Sequence, residues 1–200
     1  MFVTLEGIDR SGKTTQAALL AEALGPETLL LREPGGTELG ERVRALVKDP
    51  GLDLAWGAEL LLFSAARSQL VNEVINPAID AGRDIVCDRY IDSTVAYQGG
   101  GRELGVTQVE QLGELIVGSC MPDLTVLLRV DPARAAARRG DDLDRFEAEG
   151  IEFQRTVAAV YDELAAGHPE RIVVVDGERE PAAVHERVMA ALRARDDDGV

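Results

Sequence analysis

Gly7-Ile8-Asp9-Arg10-Ser11-Gly12-Lys13-Thr14 decides the reading of this chain. The eight residues fit the pattern G-x-x-x-x-G-K-[ST], and their setting fits it too. Phe2-Val3-Thr4-Leu5-Glu6, just before them, is apolar and β-prone and reads as a strand. Thr15 to Leu24, just after, reads as a helix with Leu19, Leu20, Ala23 and Leu24 at helical spacing. A strand, a glycine loop and a helix N-terminus aim backbone N–H groups and a positive dipole end at one point. Lys13 can then neutralise the β/γ-phosphates of a bound nucleotide, and the Thr14 hydroxyl can ligate Mg²⁺. A glycine-rich turn that matches by chance is the plainer alternative; strand and helix on the correct sides argue against it.

Bulk properties narrow the surroundings of that loop. Two hundred residues with 46% hydrophobic content suit one domain with a single core. No run approaches the roughly 18 apolar residues of a membrane span, and Met1 leads directly into the first strand without a signal-peptide pattern. Cys87 and Cys120 are isolated from each other and from the histidines, so neither a disulfide nor a zinc site is expected. His168 and His185 are expected at the surface, and a reducing cytoplasm is the expected setting. The formal charge of −15 leaves no basic stripe to track a nucleic-acid backbone. An anionic nucleotide must be held by local positive groups against an unfavourable overall field. Lys13 and Lys48 are the only lysines in an arginine-using chain, which sharpens the case for Lys13.

Further along, Glu27 to Arg32 reads as a second strand, ending in the tight loop Arg32-Glu33-Pro34-Gly35-Gly36-Thr37. Glu38 to Lys48 reads as a helix with Leu39, Val43, Leu46 and Val47 inward. After Pro50-Gly51, a long helix is expected from about Ala55 to Ala81, stopped by Gly82. Within its apolar stripe of Leu60, Phe63, Leu70, Val71 and Val74 falls Arg67, four residues after Phe63. A guanidinium on an inward face needs either a carboxylate partner or a ligand. Phe63 beside it offers a flat ring that could stack on a planar base. Asp84 to Asp88 is a third strand with an acid at its exit, and Asp88 resembles a Walker-B carboxylate. The alternative for Asp88 is a helix cap for the segment starting at Tyr90.

Gly99-Gly100-Gly101 could let backbone approach a ligand or act as a linker. Thr107 and Glu110 form a capping-box pattern for a helix to about Gly118. Leu124 to Val130 is a fourth strand, with Arg134, Arg138 and Arg139 on the short helix after it. The charged stretch Asp141 to Glu147 is a solvated loop by composition, or a lid that brings arginines over phosphates. A helix from Glu152 to Ala166, a strand from Arg171 to Val175 and a helix from Pro181 to Ala194 complete the chain. Five strands alternating with helices predict an α/β fold, a parallel sheet covered by helices on both faces. The expected organisation is one domain over 1–195 with a short lid insertion at about 139–150 and an acidic, disordered tail at 196–200.

EGIDRSGKTT at 6–15, REPGGT at 32–37, LLFSAARSQL at 61–70, CDRYIDSTVAYQGGGR at 87–102 and LDRFE at 143–147 together resemble the thymidylate kinase family. The likeness covers nearly the whole chain, and the combination of motifs is much narrower than the first loop alone. It implies a P-loop NTPase fold and transfer of the γ-phosphoryl of ATP to dTMP, giving dTDP and ADP, with Mg²⁺ as cofactor. It also implies that Phe63 stacks on thymine and Arg67 reaches its O4 edge. Arg32 and Arg89 would hold the acceptor phosphate, with Glu33 and Pro34 alongside, and Ser93, Thr94 and Gln98 would line the base pocket. Tyr97 would crowd the 2′ position of the sugar. Residues Gly7, Ile8, Asp9, Arg10, Ser11, Gly12, Lys13, Thr14 and Thr15 would cradle ATP, with Arg134 or Arg138 against adenine. Thr14, Asp88 and Asp9 would serve the metal. Lys13, Asp9 and the arginines Arg10, Arg139 and Arg145 are the expected catalytic groups, with Arg10 bridging donor and acceptor because the loop fixes its position. A homodimer is expected, and no nucleic-acid or membrane partner.

Three other readings compete. A different nucleoside monophosphate or deoxynucleoside kinase would share most of these motifs. A GTP-dependent switch would need an N-K-x-D guanine motif, which the sequence lacks. An inactive scaffold would not need Lys13, Thr14, Asp88 and Arg89 together.

Overall fold

A computed structural model describes residues 1–138, 145–146 and 149–198, the last three by their backbone. All five strands form: β1 (Phe2–Glu6), β2 (Leu29–Arg32), β3 (Ile85–Asp88), β4 (Leu124–Arg129) and β5 (Ile172–Asp176). They pair in parallel throughout, in the order β2-β3-β1-β4-β5. Between them run α1 (Lys13–Leu24), α2 (Glu38–Lys48) and α3 (Trp56–Leu70), which continues through a π-helical turn, Val71–Ile75, into α4 (Asn76–Asp80). After β3 come α5 (Ile91–Thr94), a second π-helical segment (Val95–Gly101) and α6 (Val106–Val117). Then follow α7 (Pro132–Ala137), α8 (Ile151–Gly167) and α9 (Pro181–Asp198).

Strand alternation divides the interior into two cores. Val3, Leu5, Val86, Leu124, Val126 and Leu128 face Ala17 and Leu20 of α1 and Val184, Val188 and Leu192 of α9. Their neighbours Phe2, Ile85, Cys87 and Leu127 face the opposite way, toward Leu70, Ile75, Val109, Val157 and Leu164. Helices therefore cover both faces, and the central strand β1 is buried along its whole length. The sheet order changes direction at β1, so its C-terminal end opens a crevice beside β3 where α/β sheets place ligands.

Several local expectations are corrected. On α1 the buried apolar positions are Ala17, Leu20 and Ala21, whereas Leu19 is half-buried and Ala23 exposed; the small alanines let the helix lie close on the sheet. Of the four apolar residues expected inward on α2, Val43 and Val47 are buried, while Leu39 and Leu46 are 42% and 46% exposed. Leu46 is rotated off the row that carries Val43 and Val47 into the core, and Leu39, on that row, sits in the first turn at the helix end. The capping box does not form: α6 begins at Val106 behind Gly105, which places Thr107 inside the first turn. Helix α9 runs through Asp198, past the end of the expected domain at 195; residues 199–200 of the acidic tail lie outside the described residues. His168 and His185 are half-buried, and His168 Nε2 lies 2.9 Å from Glu110 Oε1. The glycines after Gln98 serve packing. A Cβ at Gly100 would meet Val160 Cγ2 at 2.4 Å, and one at Gly101 would meet the Phe153 ring at 2.6 Å, both on α8.

Candidate active site

The loop between β1 and α1 takes its shape from backbone that few residues tolerate. Gly7 has φ 138°, and a Cβ there would lie 2.6 Å from the Leu128 carbonyl oxygen, so only glycine fits. Arg10, with φ 62°, is one of three non-glycine residues in the left-handed region among the described residues; Arg89, with φ 72°, is another. Both stand at this site, where local strain commonly concentrates. Lys13 is buried at the start of α1, and its Nζ donates to the Ile8 carbonyl at 2.7 Å and to Ser11 Oγ at 3.3 Å. Burial, and then the Arg89 charge, push its pKa down to about 8.

Across the crevice, Thr14 Oγ1 donates to Asp88 Oδ2 at 2.6 Å. Asp88 is thus paired with the loop threonine, and the Tyr90 segment begins without a side-chain cap. Among the described residues there is no group of three or more His, Cys, Asp or Glu side chains able to hold a metal. Hard oxygens from one carboxylate and one hydroxyl, beside a phosphate cradle, suit Mg²⁺, which keeps waters and takes phosphate oxygens as further ligands. Asp9, also expected at the metal, has both oxygens engaged: Oδ1 by Arg89 Nη2 at 2.5 Å and Oδ2 by Gln154 Nε2 at 3.2 Å. Although burial opposes it, Arg89 and then Lys13 hold the Asp9 pKa below the usual carboxylate value.

Arg89 is the hub between the loop and the far wall. Its Nη1 donates to the Gly7 carbonyl and to Ser93 Oγ, each at 3.0 Å, and its Nη2 reaches the Tyr97 hydroxyl at 3.3 Å. Its guanidinium also lies over the Tyr97 ring, 5.0 Å from the centroid. Beneath it sits Glu6, the fully buried last residue of β1. Glu6 accepts from Tyr90 N at 2.7 Å, Ser93 Oγ at 2.6 Å and Tyr161 Oη at 2.8 Å. Burial, and then Asp92, raise its pKa to about 7. Sequence reasoning passed over Glu6; a charged residue closing an apolar strand immediately before the glycine was the available signal.

The Arg67 anomaly resolves into an ion pair that also faces the cavity. Arg67, 2% exposed, donates through Nε and Nη2 to Glu33 Oε2 at 2.8 and 2.6 Å. Nη2 also reaches the Tyr90 carbonyl and Thr94 Oγ1. Its Nη1 is buried without a partner among the described residues. Arg32, on the rim, pairs with Glu41 at 3.2 Å.

One cavity of about 380 Å³ joins these parts. Its lining brings together Asp9, Arg10, Lys13, Thr14 and Asp88 with Arg32, Glu33, Pro34, Phe63, Arg67, Arg89, Ser93, Thr94, Tyr97 and Gln98. Arg44, Val47, Lys48 and Phe146 line it too and were not foreseen. Phe146 packs edge-on against Phe63, with centroids 5.8 Å apart. Other expected residues lie elsewhere. Arg138 donates to the Arg10 carbonyl at 3.0 Å and the Gly177 carbonyl at 3.3 Å, behind the loop. Arg134 is exposed and paired with Glu178. Arg145 pairs with buried Glu59 and does not line the cavity. Arg139, and most of the expected lid, lie outside the described residues.

No helix among the described residues is long and apolar enough to cross a membrane. The family model for thymidylate kinase matches residues 5–188. Thymidylate kinase of Deinococcus radiodurans is 43% identical, over 98% of this chain and 97% of that protein. Thymidylate kinase of Solidesulfovibrio magneticus is 47% identical, over 96% and 98%. The crystal structure of thymidylate kinase from Ehrlichia chaffeensis superposes with a TM-score of 0.82 at 35% identity, covering 96% of this chain and 98% of that one. With a phosphate loop, its paired threonine and aspartate and a base-sized cavity on one sheet edge, and relatives matched almost end to end, the chain belongs to the thymidylate kinase family of ATP-dependent nucleoside monophosphate kinases.

Proposed function

We propose that this chain transfers the γ-phosphoryl group of ATP to the 5′-phosphate of dTMP, with the donor's phosphates on the loop of residues 7–14 and the thymine between Phe63 and Arg67. One observation carries the assignment: one cavity is lined both by Lys13, Thr14 and Asp88 and by Phe63 and Arg67. A nucleotide whose base lies by Phe63 would turn its 5′ end toward the loop.

The reaction needs no strong general base, because the acceptor phosphate oxygen is already ionised near neutral pH. That oxygen attacks the γ-phosphorus while the bond to the β,γ-bridging oxygen breaks and ADP departs. Catalysis then consists of aligning two polyanions and placing positive charge where the loose transition state spreads its negative charge. Lys13 and the loop N–H groups face the donor phosphates, and Arg10, held in its unusual backbone conformation, is the arginine proposed to bridge donor and acceptor. Arg32 and Arg89 take the acceptor phosphate, with Asp9 keeping Arg89 in place. Tyr97 closes the sugar's 2′ side. Mg²⁺, bound with ATP, would supply charge neutralisation, and Thr14 and Asp88 are the residues placed to hold it.

A homodimer is part of the same reading. Trp56 and Leu61 on α3 and Leu115 on α6, which packs on α3, are 50%, 61% and 81% exposed. Light scattering of the purified chain at micromolar concentration should give twice the 21.5 kDa chain mass. A cytoplasmic setting suits two buried, unpaired cysteines. The activity is tested by coupled ADP release with ATP, Mg²⁺ and dTMP, dUMP, dCMP, dGMP or UMP in turn. dTMP should give the highest kcat/KM; a higher value with any other acceptor would overturn the assignment.

A further inference from the structure

Glu59, on α3 one turn before Phe63, is fully buried, yet it touches neither the phosphate loop nor the cavity. Among the described residues, every hydrogen-bond partner of its carboxylate is a donor. Gln98 Nε2 donates to Oε1 at 2.7 Å and Arg102 Nε to the same oxygen at 3.3 Å, while Arg145 Nη1 reaches Oε2 at 2.6 Å. A carboxylate held this way only accepts hydrogen bonds. The Gln98 amide therefore has to turn its NH₂ toward Glu59, and its carbonyl oxygen is left for the cavity that Gln98 lines. An unconstrained side-chain amide has two nearly equivalent orientations, one presenting a donor and the other an acceptor.

Arg67 lines the same wall, and its Nη1, buried and without a partner among the described residues, is the donor that the base-pocket reading assigns to this position. The wall thus offers one donor and one acceptor. Thymine presents the complement, an O4 acceptor beside an N3–H donor. Cytosine presents the reverse at both positions, an amino donor beside an N3 acceptor. We infer that Glu59 is a specificity-determining positioning residue: by locking the Gln98 amide with its oxygen toward the base, it makes the site accept an imide such as thymine and reject cytosine. The inference rests on the reading of Phe63, Arg67 and Gln98 as the base pocket. Arg102 and Arg145 pair with the carboxylate and fix it in the core.

Glu59→Gln removes the obligatory acceptor, so the facing amides can pair in either polarity. The ratio of kcat/KM for dTMP to that for dCMP should fall about tenfold or more, mainly through a raised KM for dTMP, with KM for ATP unchanged. Gln98→Leu should lose the same selectivity, and adding Glu59→Gln to Gln98→Leu should cost nothing further. Full additivity in that cycle, or a wild-type ratio in Glu59→Gln, overturns the role of Glu59. If Gln98→Leu itself leaves the ratio unchanged, the base-pocket reading fails instead. Should Glu59→Gln not fold, the wild-type chain still decides by NMR with and without dTMP. Nuclear Overhauser contacts from the Gln98 NH₂ to the Glu59 methylenes support the lock, and contacts from that NH₂ to the thymine ring refute it.

Discussion

The two ends of the cavity hold their positive charge in opposite ways. At the donor end, Lys13 is buried beside another cation, Arg89, and its pKa is driven down to about 8. Its hydrogen bonds go to a carbonyl and a hydroxyl of its own loop. At the acceptor end, Arg67 is equally buried but shares two hydrogen bonds with Glu33 and others with Tyr90 and Thr94. On the proposed reading, the donor end keeps a lysine without a carboxylate partner among the described residues, ready for phosphate, which costs stability. On the same reading the acceptor end keeps a neutralised pair that would read a base, and its stability depends on both members. A charge awaiting a polyanion and a charge that must hold still are thus built differently within one pocket.

Removing the arginine assigned to the transition state should have the largest effect. Arg10→Ala is expected to lower kcat on the order of 10³-fold or more, with KM for dTMP little changed. Steady-state kinetics decide it: a marginal loss in Arg10→Ala, with turnover abolished in Arg139→Ala or Arg145→Ala, would move the role out of the loop. The acceptor end should next reveal its dependence on pairing. Arg67→Met leaves the Glu33 carboxylate buried without its cation and should destabilise the chain by about 3–5 kcal/mol in urea unfolding, besides raising KM for dTMP. A loss under 1 kcal/mol would mean that water or a shifted neighbour replaces the pair.

The same contrast explains what could be read from the sequence. Strand, loop and helix at the donor end come from one continuous stretch, where glycines and the order of elements carry the information; the element boundaries there shifted by at most a couple of residues. Asp88 was legible because it closes an apolar strand. The acceptor wall draws Arg32 and Glu33, Phe63 and Arg67, Arg89 to Gln98, and Phe146 from separate segments. Spacing along α3 revealed that Arg67 needed a partner, and only the packing of the β2 exit loop against α3 showed that the partner is Glu33. Glu59 and Arg102 were invisible for the same reason: Gln98 and Glu59 lie 39 residues apart, and no local pattern relates them. The failed capping box and the misjudged leucines of α2 are smaller instances, in which tertiary packing began a helix two residues early or left one end of it off the core.

Lys13→Met tests the cost of the buried charge directly. A lysine whose pKa is lowered on folding binds its proton less tightly in the native chain than in the unfolded one. Stability is therefore reduced below about pH 8, and recovers as pH rises from there toward 10.5. Near pH 7 the substitution should raise stability by up to about 3 kcal/mol while abolishing most turnover. The gap in Tm between variant and wild type should shrink between pH 8 and 10.5. A Lys13→Met chain less stable than wild type at pH 7 would show that its two loop hydrogen bonds outweigh desolvation.

The smallest effect should come from an ion pair that resembles Arg67–Glu33 on paper. Arg32 and Glu41 also join an arginine at the acceptor end to a carboxylate, at 3.2 Å, but their side chains are 55% and 48% exposed. Water already solvates both charges, so the Coulombic gain is largely cancelled by screening and by the entropy of holding two long side chains. Glu41 Oε1 additionally accepts the Gly36 N–H at 3.1 Å. Glu41→Gln retains a carbonyl for that bond and removes only the charge. Its stability should therefore stay within about 1 kcal/mol of wild type, and freeing Arg32 for the acceptor phosphate should leave KM for dTMP equal or slightly lower. If Glu41→Gln cost as much as Arg67→Met, burial would not be what separates the two pairs, and the acceptor wall would owe its stability to charge alternation along its rim instead.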